Sequence, residues 1–445
     1  MTIISRLVKF SRRQLHTIVS KDFIKPSSPT PSNLKTYNLS LLDQTSTNTF
    51  MPMVALFPNS HVCRDKTLDL KSSLSRTLTK YYPFAGRLDK LAPAFIDCND
   101  DGAEFLEASV DGTLSDFLQR SQHEDLDEFF PYGQVHRNSN RGDDDPQSDR
   151  MIPLAVQVNH FECGGIAVAV SLSHKIADGV SMAHFFNDWA KIARLSSRDQ
   201  KHKLDIDPKF ISFPDININC MGFSLERSSE HLTWSFMFPN SKINELKVKV
   251  KAMTAESGQP IANLTRVEVL NWLLHKCAVA AATKNNLGVF KPTLVAHPTN
   301  IRGKMIQPLP EKSIGNFYTI LEIFTNNESE MRPEAFINEL QKKKTQLKGL
   351  KDIDTFIDLL INSSLEQAQR NIDRAYICTS LCGLPLYDID FGWGKPVKTT
   401  IGGNLRKNSF ILIDAPNGDG IEALVCLGKE DMKIIQSDPE LLAFC

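Results

Sequence analysis

The stretch Ser171-Leu-Ser-His174-Lys-Ile-Ala-Asp178-Gly179 sets an imidazole four residues ahead of a carboxylate, with a glycine directly after it. An imidazole titrates near neutrality, so His174 can take a proton from a hydroxyl at cellular pH. Asp178 could orient that imidazole as the third member of a triad does. The pairing alone is cheap, because His123-Glu-Asp-Leu-Asp127 repeats it in a charged stretch that reads as a solvated face. For His174, local context leaves a structural and a catalytic histidine both open.

What distinguishes His174 is its setting. The apolar run Gly165-Ile-Ala-Val-Ala-Val170 leads into it, and Met182, Phe185, Phe186, Trp189 and Ala193 follow at spacings of three and four. The order is buried strand, tight turn, amphipathic helix, and a strand end delivers a side chain into a loop-lined cleft. No strand pattern precedes His123.

The same periodicities repeat along the chain. Tyr37–Leu42, Met53–Phe57 and Phe95–Cys98 read as strands, and Leu68–Tyr82 as a helix stopped by Pro83. Pro153–Asn159 and Ile166–Leu172 form a hairpin around Cys163-Gly-Gly165, and residues 133–150 are a polar loop. Residues 196–230 lack sustained periodicity and read as a linker. Beyond them, Leu232–Phe238 is a strand and Ser241–Met253 a basic helix. Thr265-Arg-Val-Glu268 is a capping box opening an apolar helix through Ala282. Leu294–His297 and Phe317–Phe324 are strands, and Pro333 opens a helix to about Leu347. Ser409–Asp414 and Ile421–Leu427 flank Asn417-Gly-Asp-Gly420, a hairpin signal, and two short helices close the chain. Strands and helices mix in both halves, so each half reads as α/β or α+β.

The chain has 445 residues, enough for two domains, with 41 % apolar residues, 23 % charged residues and a formal net charge of −1. That balance argues against a nucleic-acid binder relying on bulk charge. No apolar stretch is long enough to span a membrane as a helix. Nine cysteines, at 63, 98, 163, 220, 277, 378, 382, 426 and 445, contain no C-x-x-C pair. They suggest neither a zinc site nor a disulfide framework, and fit reduced thiols in a cytoplasmic protein. Residues 1–21 carry five basic residues and no acid before Asp22. They read as a first strand with its lead-in; an organelle transit peptide is the alternative.

Two motifs in order then carry a resemblance. His174–Gly179 resembles the His-x-x-x-Asp-Gly site of the plant BAHD acyltransferases, which use acyl-CoA, and Asp390-Phe-Gly-Trp-Gly394 resembles that family's second signature. Tyr82-Pro-Phe-Ala-Gly-Arg87, Phe161-Glu-Cys-Gly-Gly165, Asn300-Ile-Arg302 and Ile314-Gly-Asn316 are similar to it as well. The likeness runs from about Ile24 to the end of the chain. The Lys25–Pro31 opening and the Tyr387–Gly394 context look like the branch that acylates alkaloids and other specialised metabolites.

The resemblance implies an α/β fold of two chloramphenicol-acetyltransferase-like domains, joined by a long crossover, with the active-site channel at their interface. The expected division is a basic extension over 1–23, a first domain over 24–200, the crossover over 201–230 and a second domain over 231–445. It implies an acyl-CoA-dependent O-acyltransferase, most simply an acetyltransferase, with His174 as general base and no acyl-enzyme. By the same likeness Asp178 pairs with an arginine, for which Arg302 is the candidate, and Asp390 is structural. Thr379 stands where the family places a possible oxyanion donor. Leu381 replaces a common tryptophan there and Gly383 a common arginine, which widens the acceptor side for a bulky apolar molecule. Thr265, Arg266 and Lys249 are candidate coenzyme A contacts, at a helix N-terminus and on a basic helix. No metal and no permanently bound cofactor are expected. The expected partners are acyl-CoA and a hydroxylated small molecule, with the chain acting as a monomer and binding neither nucleic acid nor membrane. The rival readings are N-acylation of an amine and a non-catalytic partner protein built on this fold.

Overall fold

Apolar residues in short alternating or continuous runs build two six-stranded mixed sheets. The structure is a computed structural model and describes residues 16–59, 66–89, 94–120, 123–131, 150–196, 206–211, 231–363, 374–403 and 405–445. In chain order the sheet strands are β1 (His16–Ile24), β2 (Phe50–Phe57), β3 (Ala103–Val110), β4 (Leu154–Phe161) and β5 (Ile166–Ser173). They continue as β6 (His231–Pro239), β7 (Thr293–Asn300), β8 (Tyr318–Thr325) and β9 (Arg374–Ser380). The last are β10 (Lys398–Ile401), β11 (Ser409–Asp414) and β12 (Gly420–Gly428). The first sheet runs β1-β3-β4-β5-β2-β10 and the second β6-β12-β11-β9-β7-β8.

Within the first sheet β3 and β4 are parallel and the other neighbours antiparallel. In the second, β9 runs parallel to both β7 and β11. The expected hairpin Leu154–Ser173 forms, with Leu154 opposite Leu172. All eight residues of β5 are buried, as its unbroken apolar run requires of a strand covered on both faces.

Five helices matter for the site: α1 (Lys66–Lys80), α2 (Gly179–Ser196), α3 (Asn240–Glu256), α4 (Arg266–Asn285) and α5 (Pro333–Lys348). Helix α1 buries Leu70, Leu74 and Leu78, and α2 buries Met182, Phe185, Phe186 and Trp189. The indole of Trp189 donates to Ser73 Oγ at 3.0 Å, fixing α2 against α1 without leaving a buried N–H unpaired. Helix α4 opens on the expected capping box: Thr265 Oγ1 accepts from Glu268 N, and Glu268 accepts from Thr265 N.

Four readings change. Tyr37–Leu42 is not one strand. A short strand ends at Asn38, and a helix, Leu41–Thr45, begins at Ser40, whose side chain caps it in a box with Asp43. Strand β10 belongs to the first sheet, pairing Lys398–Ile401 with Leu56–Met53, although its residues lie in the stretch assigned to the second domain. Residues 16–23 are not a separate extension, because they form most of β1 and pair with β3. The His123–Asp127 segment is not a solvated face: it is a short helical turn, His123–Phe129, packed around buried Leu126 and Phe129. Residues 1–15, the 133–149 loop, and 201–205 and 212–230 of the crossover lie outside the described residues, as do Cys63 and Cys220.

Burial holds the imidazoles of His16 and His297 at about 4 and that of His275 at about 3. The unfolded chain protonates near an ordinary 6.5, so below that pH it binds protons the folded chain refuses, and stability falls with acidification. Burial also lifts the Asp127 carboxyl to about 7, which opposes this trend by one proton. The three imidazoles outnumber that carboxyl, so the net effect of these groups is a loss of stability with acidification. The urea midpoint should therefore drop between pH 7 and pH 5; a midpoint that holds or rises contradicts these burials.

Candidate active site

His174 begins the turn after β5, and its backbone N–H donates to Thr49 O at 2.8 Å. Its ring nitrogen Nδ1 lies 2.9 Å from Asn316 Oδ1. The direction of that bond follows from the rest of the asparagine. Asn316 Nδ2 donates to Asp43 Oδ1 at 2.8 Å and to His174 O at 2.7 Å, so the amide nitrogen faces two acceptors and Oδ1 faces the imidazole. Nδ1 then carries the proton, and Nε2 is the ring's free acceptor. Asp43 is held in turn. Its Oδ1 also accepts Asn316 N at 2.8 Å, and its Oδ2 accepts Ser40 N and Oγ at 3.0 and 2.7 Å. Burial raises the Asp43 carboxyl, and those donors pull it back. Desolvation lowers the His174 imidazole below its ordinary value, against the pull of nearby Asp178, Asn316 and Asp43.

Asp178 does not hydrogen-bond His174. Arg302 Nη1 donates to its Oδ2 at 2.7 Å and Arg302 Nη2 to its Oδ1 at 3.0 Å. Ser181 N and Oγ both reach Oδ1 at 2.9 Å, and Phe317 N reaches Oδ2 at 3.1 Å. Burial alone would raise this carboxyl, but the Arg302 guanidinium and these donors outweigh it and hold it below the usual range.

The cavity that His174 lines has a volume of about 200 Å³. Its other walls include Met51, Met53, Met182, Leu381, Ile401 and Ile411, with Thr379 and Gly179 beside them. A methyl group on Gly179 would sit 3.1 Å from Leu381 Cδ2, so glycine keeps this wall open. Thr379, on β9, is thus brought to the histidine, as is Leu381. A larger cavity of about 440 Å³ lies elsewhere and does not include His174.

The remaining expected residues lie outside the lining of this cavity. Asp390 Oδ1 accepts Gly392 N and Gly394 N at 2.8 and 3.0 Å, and its Oδ2 meets Arg194 Nη1 at 3.4 Å. Both glycines have positive φ, 103° and 106°, so the carboxylate ties a bend that glycine suits. Phe391 meets the edge of Trp189 at 4.9 Å and stacks on Trp393 at 5.4 Å. Arg266 Nη2 donates to Asp414 Oδ1 at 2.9 Å, while Asp414 Oδ2 accepts Gly383 N at 2.6 Å. Thr265 and Arg266 therefore sit beside the turn that follows Thr379. Lys249 does not: its ammonium is paired with Glu440 at 3.0 Å and lies over the ring of Phe444.

Asn316 and Asp43 are functional candidates that motif reading passed over. The signal for Asp43 was present as Ser40-Leu-Leu-Asp43, a capping box hidden inside an apolar run. For Asn316 nothing local distinguishes it, since its partners are 142 and 273 residues away in sequence.

Known proteins resemble this chain along nearly its whole length. The family described as "Transferase family" matches residues 16–442. The 17,18-epoxy-17-hydroxycur-19-ene N-malonyltransferase of Strychnos nux-vomica is 38 % identical, covering 96 % of this chain and 90 % of that protein. The deacetylvindoline O-acetyltransferase of Catharanthus roseus is 36 % identical over 96 % of this chain and 97 % of its own. The crystal structure of vinorine synthase superposes with a TM-score of 0.80 at 30 % identity, over 96 % of this chain and 98 % of that one.

Removing one partner of a buried ion pair leaves the other charge uncompensated, at a cost of about 3–5 kcal/mol. Asp178→Ala should therefore lower the urea midpoint and the yield of soluble protein together with activity. Unchanged stability with lost turnover would instead assign Asp178 a direct part in the chemistry.

Proposed function

Because the chain belongs to the Transferase family, the BAHD acyl-CoA-dependent acyltransferases, we propose that it moves a short acyl group, acetyl in the simplest case, from coenzyme A to a hydroxyl of a bulky, largely apolar plant metabolite such as an alkaloid. The observation that carries this reading is His174 at the wall of an apolar cavity, with Nδ1 committed to Asn316 and Nε2 left as acceptor.

The steps balance without a covalent enzyme intermediate. His174 Nε2 takes the acceptor's hydroxyl proton as the oxygen forms a bond to the thioester carbonyl carbon. The carbonyl π pair moves onto oxygen, and the Thr379 hydroxyl is the candidate donor to that oxyanion. Collapse restores the carbonyl and breaks the carbon–sulfur bond. The thiolate leaves and takes the proton back from Nε2. Asp178 and Asp390 hold structure in this scheme, and none of the cysteines acts as nucleophile. Burial raises the Cys378 thiol well above its ordinary value and the Cys382 thiol to about 11, away from a reactive thiolate.

Thr265 and Arg266, beside the turn that follows Thr379, remain the candidates for coenzyme A contact, and the proposal makes no use of Lys249. The seven cysteines among the described residues are all free, which supports the cytoplasm as the compartment. Among the described residues no helix is long and apolar enough to cross a membrane. We place the chain there as a monomer. A second reading, transfer to an amine nitrogen, is favoured by the printed name of the Strychnos relative. The same base serves both.

The test is free-thiol release from acetyl-CoA against a panel of hydroxylated and amine-bearing apolar metabolites, with His174→Ala beside the unmodified protein. Acceptor-dependent release should fall by about 10²–10⁴-fold in the variant. Release that persists in the variant contradicts the role of His174, and the acceptor that supports release separates oxygen from nitrogen transfer.

A further inference from the structure

The larger cavity lies back to back with the catalytic one. Side chains alternate along β10, so Ile401 faces the catalytic cavity while Thr400 and Lys398 face the other. Strand β2 splits the same way, with Met53 on one side and Leu56 on the other. The second cavity, about 440 Å³, falls in the size range of small-molecule sites. Its apolar walls come from both halves of the chain, including Leu56, Phe117, Leu126, Leu424 and Trp234. Trp234 is 50 % exposed, so an aromatic face is available at the cavity's edge.

Its polar groups are not all spoken for. Thr400 is 1 % exposed, and among the described residues neither its hydroxyl nor the buried Nε2 of His123 has a hydrogen-bond partner. Lys398 is neutralised by Glu422 at 3.0 Å, and Glu422 also accepts from Ser235. That leaves the Glu124 carboxylate, which lines the cavity and takes part in no ion pair among the described residues. Among the described residues lining the cavity, the one lysine, Lys398, is the one Glu422 pairs, so no unpaired lysine or arginine competes for Glu124 there. Burial lowers the His123 imidazole, which therefore adds no compensating charge near neutrality.

We infer that this cavity is a second small-molecule site, distinct from the catalytic one, and that it takes an organic monocation: a protonated amine on an apolar, aromatic body. The ammonium pairs with Glu124 and lies against the faces of Phe117 and Trp234, while the body fills the leucine-lined wall. The Thr400 hydroxyl and His123 Nε2 are free to bond a polar group on that body.

The test is equilibrium dialysis of the full-length protein at pH 7.5 with 1-naphthylmethylamine, a cation, and 1-naphthalenemethanol, its neutral counterpart. The amine should bind about tenfold more tightly or better, and Glu124→Gln should bring it to the level of the alcohol. Leu118→Trp, at the exposed edge of the cavity, should block both, whereas Leu381→Trp, in the catalytic cavity, should change neither. No binding, equal binding of the two probes, indifference to Glu124→Gln, or loss of the amine in Leu381→Trp would each overturn the inference. If Glu124→Gln fails to fold, the probe ratio on the unmodified protein still tests the preference for a cation, and Leu118→Trp against Leu381→Trp still tells which cavity binds. None of these readouts requires acyl transfer, so the outcome is independent of the proposed reaction.

Discussion

The candidate active site hangs on one buried ion pair, Asp178 with Arg302. Both side chains are nearly inaccessible, at 7 % and 3 % exposure. Two charges can be buried there because the remaining donors of the guanidinium are also taken, by Ser313 O, Gly315 O, Asn300 Oδ1 and Ser181 Oγ. The pair joins the turn after His174 to a segment more than a hundred residues later. By binding Phe317 N and fixing Gly315, it also sets Asn316 between them. The position of Asn316 then fixes the imidazole. A carboxylate four residues after the histidine thus acts on it through the fold, not through a hydrogen bond.

The chemistry depends on what surrounds that imidazole. The walls are mainly methionine, leucine and isoleucine, with Thr379 and Arg406 also in the lining, and removal from water disfavours the imidazolium. A histidine kept neutral with its proton on Nδ1 presents a free lone pair at Nε2, the form a general base needs before the reaction starts. The apolar part of that lining suits an acceptor with an apolar body. Leu381, in contact range of Gly179, shapes that side of the cavity, and the bend tied by Asp390 packs through Phe391 onto Trp189 of α2.

Much of this was legible in the sequence, and for local reasons. His174 follows an unbroken apolar run and precedes an amphipathic helix, so strand, turn and helix are each encoded next door. Thr265–Glu268 and Asn417–Gly420 are equally local signals. What stayed hidden depends on distance or on competing patterns. The apolar residues after Tyr37 mask the Ser40–Asp43 cap, so a helix read as the end of a strand. Strand β10 carries no mark saying which sheet its edge will join. Glu124 and its neighbours look solvated because charge is visible in a sequence, while Leu126, Phe129 and the opposing strands that cover them are not. Asn316 is an ordinary residue until Asp43 and His174 are folded against it.

The most direct measurement of the account is the pH dependence of kcat/KM for acyl transfer, which reports the free enzyme's base. Desolvation dominates at His174, so its base form should persist below the ordinary histidine value of about 6.5. The account predicts a plateau through neutrality and an acid limb whose midpoint lies below that value. An acid limb at or above it would contradict a neutral, desolvated His174 as the group that takes the proton.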